Sequence, residues 1–466
     1  MRPLSRAQIC EALEPQEVHG LSGPAITKVF TDTRRPVEGA LFVALIGENF
    51  DAHEHLQSAL DGGASGLVIS STEHLPTELP AGTFVLVVSD TQQALQALAR
   101  VTRCAHPGRV AAVTGSVGKT TVKDMLAAAL REHGGVAASP GNWNNEIGVP
   151  LSLFATEGDE DFVILELGMS APGEIDTLTR IARPEVGIIT AAAAAHLEFF
   201  ESVDAIADAK AELYAALPDG ARAVACADDA RILERAKAIR PDGLLTYGTS
   251  DEADFHVQVV TQSAEGLSAT IVHPEGRVEV SLKGLGAHNA VNAAGALAAA
   301  SLLGVTPEDA SRSLSAHFSP AAHRLQVHQT ASNAFVLDDA YNANPMSTKA
   351  ALDTLAAIGN PACGLGAVLG SMLELGEDAD ALHREVGRHA AKAGLVWLTA
   401  SGIHADALAE GAREGGVNTV LVVEDALEAS EAAQAFTTDG RWLLLKGSRG
   451  GRLERLLSPL GIGEAL

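Results

Sequence analysis

Short apolar runs alternate along most of this chain with stretches whose apolar residues recur every three or four positions, the pattern of strands followed by helices. The clearest instance starts with Val110, Ala111, Ala112, Val113 and Thr114 and turns through Gly115, Ser116, Val117 and Gly118. It then passes from Lys119, Thr120 and Thr121 into a helical stripe of Val122, Met125, Leu126, Ala129 and Leu130. Further strands are expected over residues 162–167, 186–190 and 222–227, with helical patterns between them, which predicts a doubly wound parallel sheet. In such sheets ligands gather at the carboxyl ends of the strands, so the residues that follow each strand bear most on function.

Ahead of this sheet, Ser5 and Gln8 form a capping-box pattern before Ile9, Ala12 and Leu13, and Asp90 is placed to cap a helix running to about Arg103. Strands are expected at 40–46, 67–69 and 84–88, with Asp51, His53 and His55 in a polar loop. Later the period changes. Residues 255–261, 267–273 and 277–283 alternate like antiparallel strands, turning at Glu265-Gly266 and Pro274-Glu275-Gly276, a β insertion at the flank of the sheet. His288, Asn289 and Asn292 then open a small-residue helix. From Ser319-Pro320 a second, smaller Rossmann-like sheet is expected, with strands at 335–339, 366–370, 395–401, 418–423 and 442–446. The fold class is therefore α/β in three domains, over residues 1–104, 105–318 and 319–466, with His106-Pro107-Gly108 at the first joint. About 150 residues per domain is the usual scale.

Composition narrows the partners. The chain has 33 basic against 59 acidic residues, a net charge of −26, and no basic tract, which excludes nucleic acid and anionic membranes. Residues 290–305 are too few, and too polar at Asn292, to span a bilayer, so no membrane insertion is expected. Residues 1–6 lack the long apolar segment of a signal peptide. Cys10, Cys104, Cys226 and Cys363 lie far apart without ligand spacing and read as buried small residues in a reducing cytosol.

The glycine-spaced turn sits at a helix N-terminus, where free N–H groups and the dipole favour phosphate. Lys119 adds a point charge against the β and γ phosphates, and the Thr120 hydroxyl can ligate Mg²⁺. The usual phosphate-loop pattern places its first glycine where this chain has Val113, so the stretch taken alone also fits an ordinary strand–turn–helix corner. Glu166 is the one carboxylate in the apolar run 162–168. Either it faces water on an edge strand, or it is buried and needs a counter-charge such as Mg²⁺ between Thr120 and phosphate. His196 follows the strand at 186–190 and reads by itself as a hydrogen-bonded packing residue. Lys210 shares a helical stripe with Val203, Ile206, Ala207, Leu213 and Tyr214. It either snorkels to water or loses its charge. A neutral amine can take up CO₂ and become a carbamate, a carboxylate-like metal ligand. Asn289 and Asn292, three apart, can present two amides to a base or ribose, although Asn289 could also serve as a helix cap. Asp32-Thr33-Arg34 is either a polar turn or a phosphate or sugar contact through Arg34 and the Thr33 hydroxyl.

Taken in order, these pieces resemble the ATP-dependent Mur ligases of peptidoglycan synthesis over essentially the whole chain. The matching residues are Asp32-Thr33-Arg34, Leu41 to Leu45, Thr114 to Thr121, Gly141 to Gly148, Glu166 to Ser170 and His196-Leu197-Glu198. Ala209 to Glu212, His288-Asn289 with Asn292, Arg324, Asp338 to Pro345, Leu369 to Gly376 with His383, and Lys446 to Arg449 complete them. The segment from Asp338 to Pro345 resembles the branch that adds D-alanyl-D-alanine to UDP-N-acetylmuramoyl-tripeptide, and the family's shorter phosphate loop accounts for Val113.

The resemblance implies a ligase using ATP and Mg²⁺, and the chain is expected to be a cytoplasmic monomer. Gly115, Ser116, Val117, Gly118, Lys119, Thr120 and Thr121 would cradle ATP. Thr120 and Glu166 would bind one Mg²⁺, and His196 with carbamylated Lys210 a second, which puts Lys119, His196 and Lys210 at the chemistry. Asn289 and Asn292 would face adenine, and Arg324 and Asp339 would hold phosphate and ribose. The first domain would bind the UDP-sugar through Thr33 and Arg34, while Asn144, Asn145, Tyr341, Asn342 and Asn344 would position substrates. One departure is local: where the family has an Asn and a Gly before its His, this chain has Thr190 and then Ala191 to Ala195. Three alternatives differ in kind. A sister ligase adding a diamino acid shares the central domain but not residues 341–345. A folate polyglutamate synthase shares the ATP site but not Asp32-Thr33-Arg34. A non-catalytic nucleotide-binding switch protein is a different class, and its phosphate release would not require both UDP-tripeptide and D-alanyl-D-alanine.

Overall fold

The Ser5 hydroxyl accepts from the Gln8 N–H while the Gln8 side chain accepts from the Ser5 N–H, and this reciprocal cap starts the helix Arg6–Leu13. The computed structural model describes residues 1–466 except 21, 195–197, 199 and 464–466. Contacts divide it into two units. The first comprises Met1–Thr114, Leu130–Ile188 and Glu212–Ala223, and the second Gly115–Ala129, Ile189–Ala211 and Val224–Leu466.

In the first unit a five-stranded sheet runs in the order Glu17–His19, Phe84–Val87, Gly66–Ile69, Leu41–Val43, Val29–Phe30. Every pairing is parallel except that of Glu17–His19 with Phe84–Val87. Its core of Phe30, Phe42, Leu67 and Val85 is buried, each large apolar side chain contributing about 2 kcal/mol. The strand expected over 40–46 is shorter than its apolar run. Leu41–Val43 joins the sheet, and Ile46–Gly47 turns away to pair with Phe50–Asp51 in a two-stranded ribbon. The polar loop expected at Asp51–His55 is a 3₁₀ turn, in which buried His53 donates to Asp51 at 2.6 Å and accepts from the Ser70 N–H at 2.9 Å.

Asp90 caps Thr91–Ala105 as expected, its carboxylate accepting from the Gln92 and Gln93 N–H groups. In its last turn buried Arg103 donates to the Ala182 carbonyl and pairs with Glu185 at 2.9 Å. The adjoining strand Arg109–Thr114 pairs in parallel with Phe162–Glu166, which in turn pairs with Val136–Ala138. Phe162–Glu166 is buried along its full length, as a strand flanked on both sides and covered on both faces must be.

In the second unit Leu244–Gly248 pairs in parallel with Phe255–Ser263, from which Gly266–His273 and Gly276–Leu282 continue as the expected antiparallel meander. The helix Ala287–Leu302 then buries a face of alanines. Farther on, a six-stranded sheet runs Gln326–Gln329, Phe335–Asp338, Trp442–Lys446, Leu365–Gly370, Leu395–Ser401, Thr419–Val423. Five strands are parallel, and Gln326–Gln329, too polar to be picked out from the sequence, adds antiparallel at the edge. Alternate side chains fill two separate cores: Leu337 and Leu444 lie on one face, Val336, Leu443 and Leu445 on the other. That alternation is what makes the sheet doubly wound, with helices on both sides.

The cysteine expectation needs correction. Cys226 is buried, but Cys10 and Cys363 are only partly so and Cys104 is exposed, because it falls on the outer side of Thr91–Ala105. Removing the Asp90 cap tests the first unit's main helix. Asp90→Ala is expected to cost about 1 kcal/mol, seen as faster hydrogen exchange at the Gln92 and Gln93 amides. Unchanged protection would show that the cap is dispensable.

Candidate active site

The glycine-spaced turn is held open by its neighbours. Gly115 has φ +149° and Gly118 φ +81°, values that L side chains rarely adopt. A Cβ on Gly115 would lie 1.8 Å from the Thr190 hydroxyl, and one on Gly118 would lie 2.9 Å from Asn292 Oδ1. Thr190 donates to the Val117 carbonyl, Ser116 N–H donates to Ala191 O at 2.7 Å, and the Ala193 N–H donates to the Ser116 hydroxyl at 3.0 Å. The segment Thr190–Ala193, where the chain departs from the Mur pattern, thus fastens the loop through a hydroxyl and main-chain groups. The anchoring role of Thr190 is not legible in the sequence, because its partner lies 73 residues away.

Beyond the loop, Lys119–Leu130 is helical, and Lys119 Nζ folds back to donate to Gly115 O at 2.8 Å. Asn292 donates to Asn289 Oδ1 at 3.0 Å, so the two amides face one another beside Gly118. Asn289 is not the cap, since the helix begins at Ala287 after Gly286. The buried Asn289 amide instead donates to Leu285 O.

Lys210 lies on the helix Val203–Ala216 and is 2% exposed, so it does not snorkel. Burial drives its pKa well below the ordinary lysine value, and repulsion from Lys119 adds to the effect. His196 lies outside the described residues.

At the carboxyl end of the six-stranded sheet, Arg324 reaches Thr120 Oγ1 at 3.3 Å, its guanidinium 4.3 Å from the centre of the Tyr341 ring. Arg449 approaches the same ring at 5.8 Å. Asp339 is paired with buried Lys446, which also donates to the Asn342 carbonyl at 3.1 Å. Lys446 was missed as a partner because nothing in sequence links positions 107 apart. Asn344 caps Pro345–Ile358 reciprocally with Ser347, while Asn342 Oδ1 accepts from the Ala343 N–H. Buried His383 accepts from the Met372 N–H at 2.9 Å and donates to Ala379 O.

In the first unit Glu166 is 2% exposed, which removes the reading of a water-facing edge residue. One of its oxygens accepts from Asn144 at 2.9 Å, and the other is buried with no hydrogen-bond partner among the described residues. Asn145 Oδ1 accepts from the Gly148 N–H at 2.8 Å at the start of Gly148–Phe154. Arg34 is exposed and holds Asp32 through two hydrogen bonds of 2.9 and 2.8 Å, with Thr33 between them. These bonds pull the Asp32 carboxyl down to about 2.

A twice-covered parallel sheet, a glycine loop opening a helix and buried charge at strand ends describe a nucleotide-dependent enzyme, and the comparisons give the class. The Mur ligase middle domain matches residues 113–300, and the Mur ligase, glutamate ligase domain matches residues 323–449. The chain belongs to the Mur ligase family. It is 36% identical to the UDP-N-acetylmuramoyl-tripeptide–D-alanyl-D-alanine ligase of Escherichia coli, covering 94% of this chain and 95% of that one. It is 35% identical to the Bacillus subtilis enzyme of the same name, covering 93% and 92%. A crystal structure of MurF from Acinetobacter baumannii superposes with a TM-score of 0.89 at 30% identity, covering 99% of both chains. MurF ligase from Thermotoga maritima, in complex with ADP, gives 0.82 at 27% identity over 93% of this chain and 96% of that one. The fold is thus the expected three-domain α/β fold of Mur ligases, with a central doubly wound sheet, its β insertion and a Rossmann-like C-terminal domain.

The Asp32–Arg34 pair has a direct test. The Asp32 carboxylate, stabilised in its charged form, is expected to titrate near 2 by carbon NMR, with the pair intact above the ordinary carboxylate range and lost only as pH falls towards that value. In Arg34→Ala the midpoint should return to about 4; no movement would show that the arginine does not hold it.

Proposed function

We propose that this protein joins D-alanyl-D-alanine to UDP-N-acetylmuramoyl-tripeptide, using ATP, in peptidoglycan precursor synthesis. The observation that carries this reading is the full-length likeness to ligases named for that reaction. It is an ATP-dependent, peptide-bond-forming ligase. We read it as a monomeric enzyme of the cytoplasm; no helix among the described residues is long and apolar enough to cross a membrane.

In this reading the loop of Gly115, Ser116, Val117 and Gly118 cradles the phosphates, the Ser116 N–H held by Ala191 O and so shaping the loop, with Lys119, Thr120 and Thr121 opening the helix behind it. Lys119 exchanges its bond to Gly115 O for phosphate oxygens. Asn289 and Asn292 face the adenine side. Arg324 meets phosphate from the C-terminal domain, with Asp339 set for the ribose and fixed by Lys446. Thr33 and Arg34 meet the UDP-sugar, and Asn144, Asn145, Tyr341, Asn342 and Asn344 position the two substrates.

Magnesium is assigned to Thr120 with Glu166, and to His196 with carbamylated Lys210. The donors suit it: Glu166 keeps one buried carboxylate oxygen without a partner among the described residues, and burial favours the neutral Lys210 amine, which adds CO₂ and releases a proton. When bound, the ions offset repulsion between an anionic nucleophile and the phosphate oxygens.

The reaction follows from the weakness of a carboxylate as an electrophile. A tripeptide carboxylate oxygen attacks the γ-phosphorus, the bond to ADP breaks, and an acyl phosphate forms. The D-alanyl-D-alanine amine then attacks the acyl carbon, loses a proton and expels phosphate. Lys119 supports the first step by neutralising charge on the transferring group. Exclusion of water by closure of the C-terminal domain protects the acyl phosphate from hydrolysis.

Phosphate release should require UDP-tripeptide and D-alanyl-D-alanine together. Release with a diamino acid in place of the dipeptide, or with no acceptor, would reject the assignment. Lys119→Ala should abolish turnover in a folded protein, by a factor of about 10³, and normal turnover would remove the loop from the site. Lys210→Ala should be inactive and partly restored by acetate, and wild type supplied with ¹³C-bicarbonate should show a carbamate signal absent from the variant. Full activity without acetate would dismiss the carbamate.

A further inference from the structure

Arg324 stands between two residues whose backbone is left-handed, His323 at φ +59° and Leu325 at φ +51°. Neither is glycine, and residues of their shape adopt this conformation only where the surroundings impose it. For His323 the surroundings are visible. Its Nδ1 lies 2.7 Å from Asp338 Oδ2, and because a carboxylate can only accept, the ring donates. Asp338 is fully buried at the end of Phe335–Asp338, where its other oxygen accepts from the Ala340 N–H at 3.2 Å. The His323 N–H donates to Gln326 Oε1, and the His323 carbonyl accepts from the Tyr341 N–H, both at 3.2 Å. The turn carrying Arg324 is therefore tied through His323 to the same strand end that supplies Tyr341, the ring under the Arg324 guanidinium.

We infer that His323 is a positioning residue: by donating to buried Asp338 it locks the left-handed turn that presents Arg324 to the Thr120 end of the phosphate loop. Arg324 Nε is buried without a hydrogen-bond partner among the described residues, and the bond to Thr120 lies at the far end of the side chain. The backbone on either side has to aim it. His328, with Nε2 3.7 Å from the same Asp338 oxygen, flanks the contact without replacing it.

This inference rests on the reading of Arg324 as a phosphate ligand, and the test separates the two. A non-hydrolysable ATP analogue is titrated calorimetrically into the full-length wild type and into Arg324→Ala, His323→Gly and His323→Asn. Glycine accepts the left-handed backbone without strain but cannot reach Asp338, whereas asparagine tolerates that backbone and keeps an N–H donor. Arg324→Ala and His323→Gly should each weaken analogue binding at least about fivefold. His323→Gly should raise KM for ATP by a similar factor while leaving KM for the UDP-tripeptide unchanged, a split that general destabilisation would not give. His323→Asn should bind within about twofold of wild type. Wild-type affinity in His323→Gly, or an Asn variant as weak as the Gly variant, overturns the inference. Wild-type affinity in Arg324→Ala overturns the phosphate-ligand reading beneath it.

Discussion

A cation shut away from water must find a partner or give up its proton, and Lys210 is the residue on which this constraint falls hardest. Its helix turns it inward at a position where an aliphatic side chain would satisfy the stripe, and the cationic group acting on it is the like charge of Lys119. A lysine kept there as a mere packing residue would cost stability without return, since burial of a charge is unfavourable by several kcal/mol unless compensated. A neutral amine is a different object, able to react with CO₂ and to exchange a misplaced cation for a metal ligand.

Other charges meet the same constraint by ordinary means, and the contrast shows what is unusual at Lys210. Lys446, equally buried, has Asp339 and a carbonyl within reach. Burial raises the cost of ionising Asp338, yet the hydrogen bond from His323 and the nearby His328 ring keep its carboxyl below the usual range. Arg103 is capped by two helix-end carbonyls and Glu185. Glu166 stands apart with Lys210, because half of its carboxylate has no donor among the described residues. Residues left incomplete by their own chain are those that a nucleotide, a metal ion or a substrate is expected to complete.

The phosphate loop shows a second principle, that a flexible sequence is made rigid by distant parts of the chain. Two glycines at positive φ make the turn possible, while the Thr190 hydroxyl and the main chain of Ala191 and Ala193 make it single-valued. An Asn is usual in the family near this point. Here the Thr190 hydroxyl and the main chain after it hold the loop.

Periodicity was enough for most of the α/β architecture. The buried strands at 162–166 and 442–446, the antiparallel meander, and the caps at Ser5 and Asp90 are local properties, set by the spacing of apolar residues and by the reach of a side chain over three positions. The same locality exposed Lys210 as an oddity on its helix and put Asn289 and Asn292 on one side of theirs. What only the tertiary structure decided are the pairings across long separations: Thr190 with Val117, Lys446 with Asp339, Arg324 with Thr120, and the left-handed turn at His323. The polar edge strand Gln326–Gln329 belongs with them, since its strand character comes from pairing with Phe335–Asp338 rather than from its own residues. A hydrogen bond between residues a hundred positions apart leaves no trace in the local pattern of either, because its geometry is created by the packing of the elements that carry them.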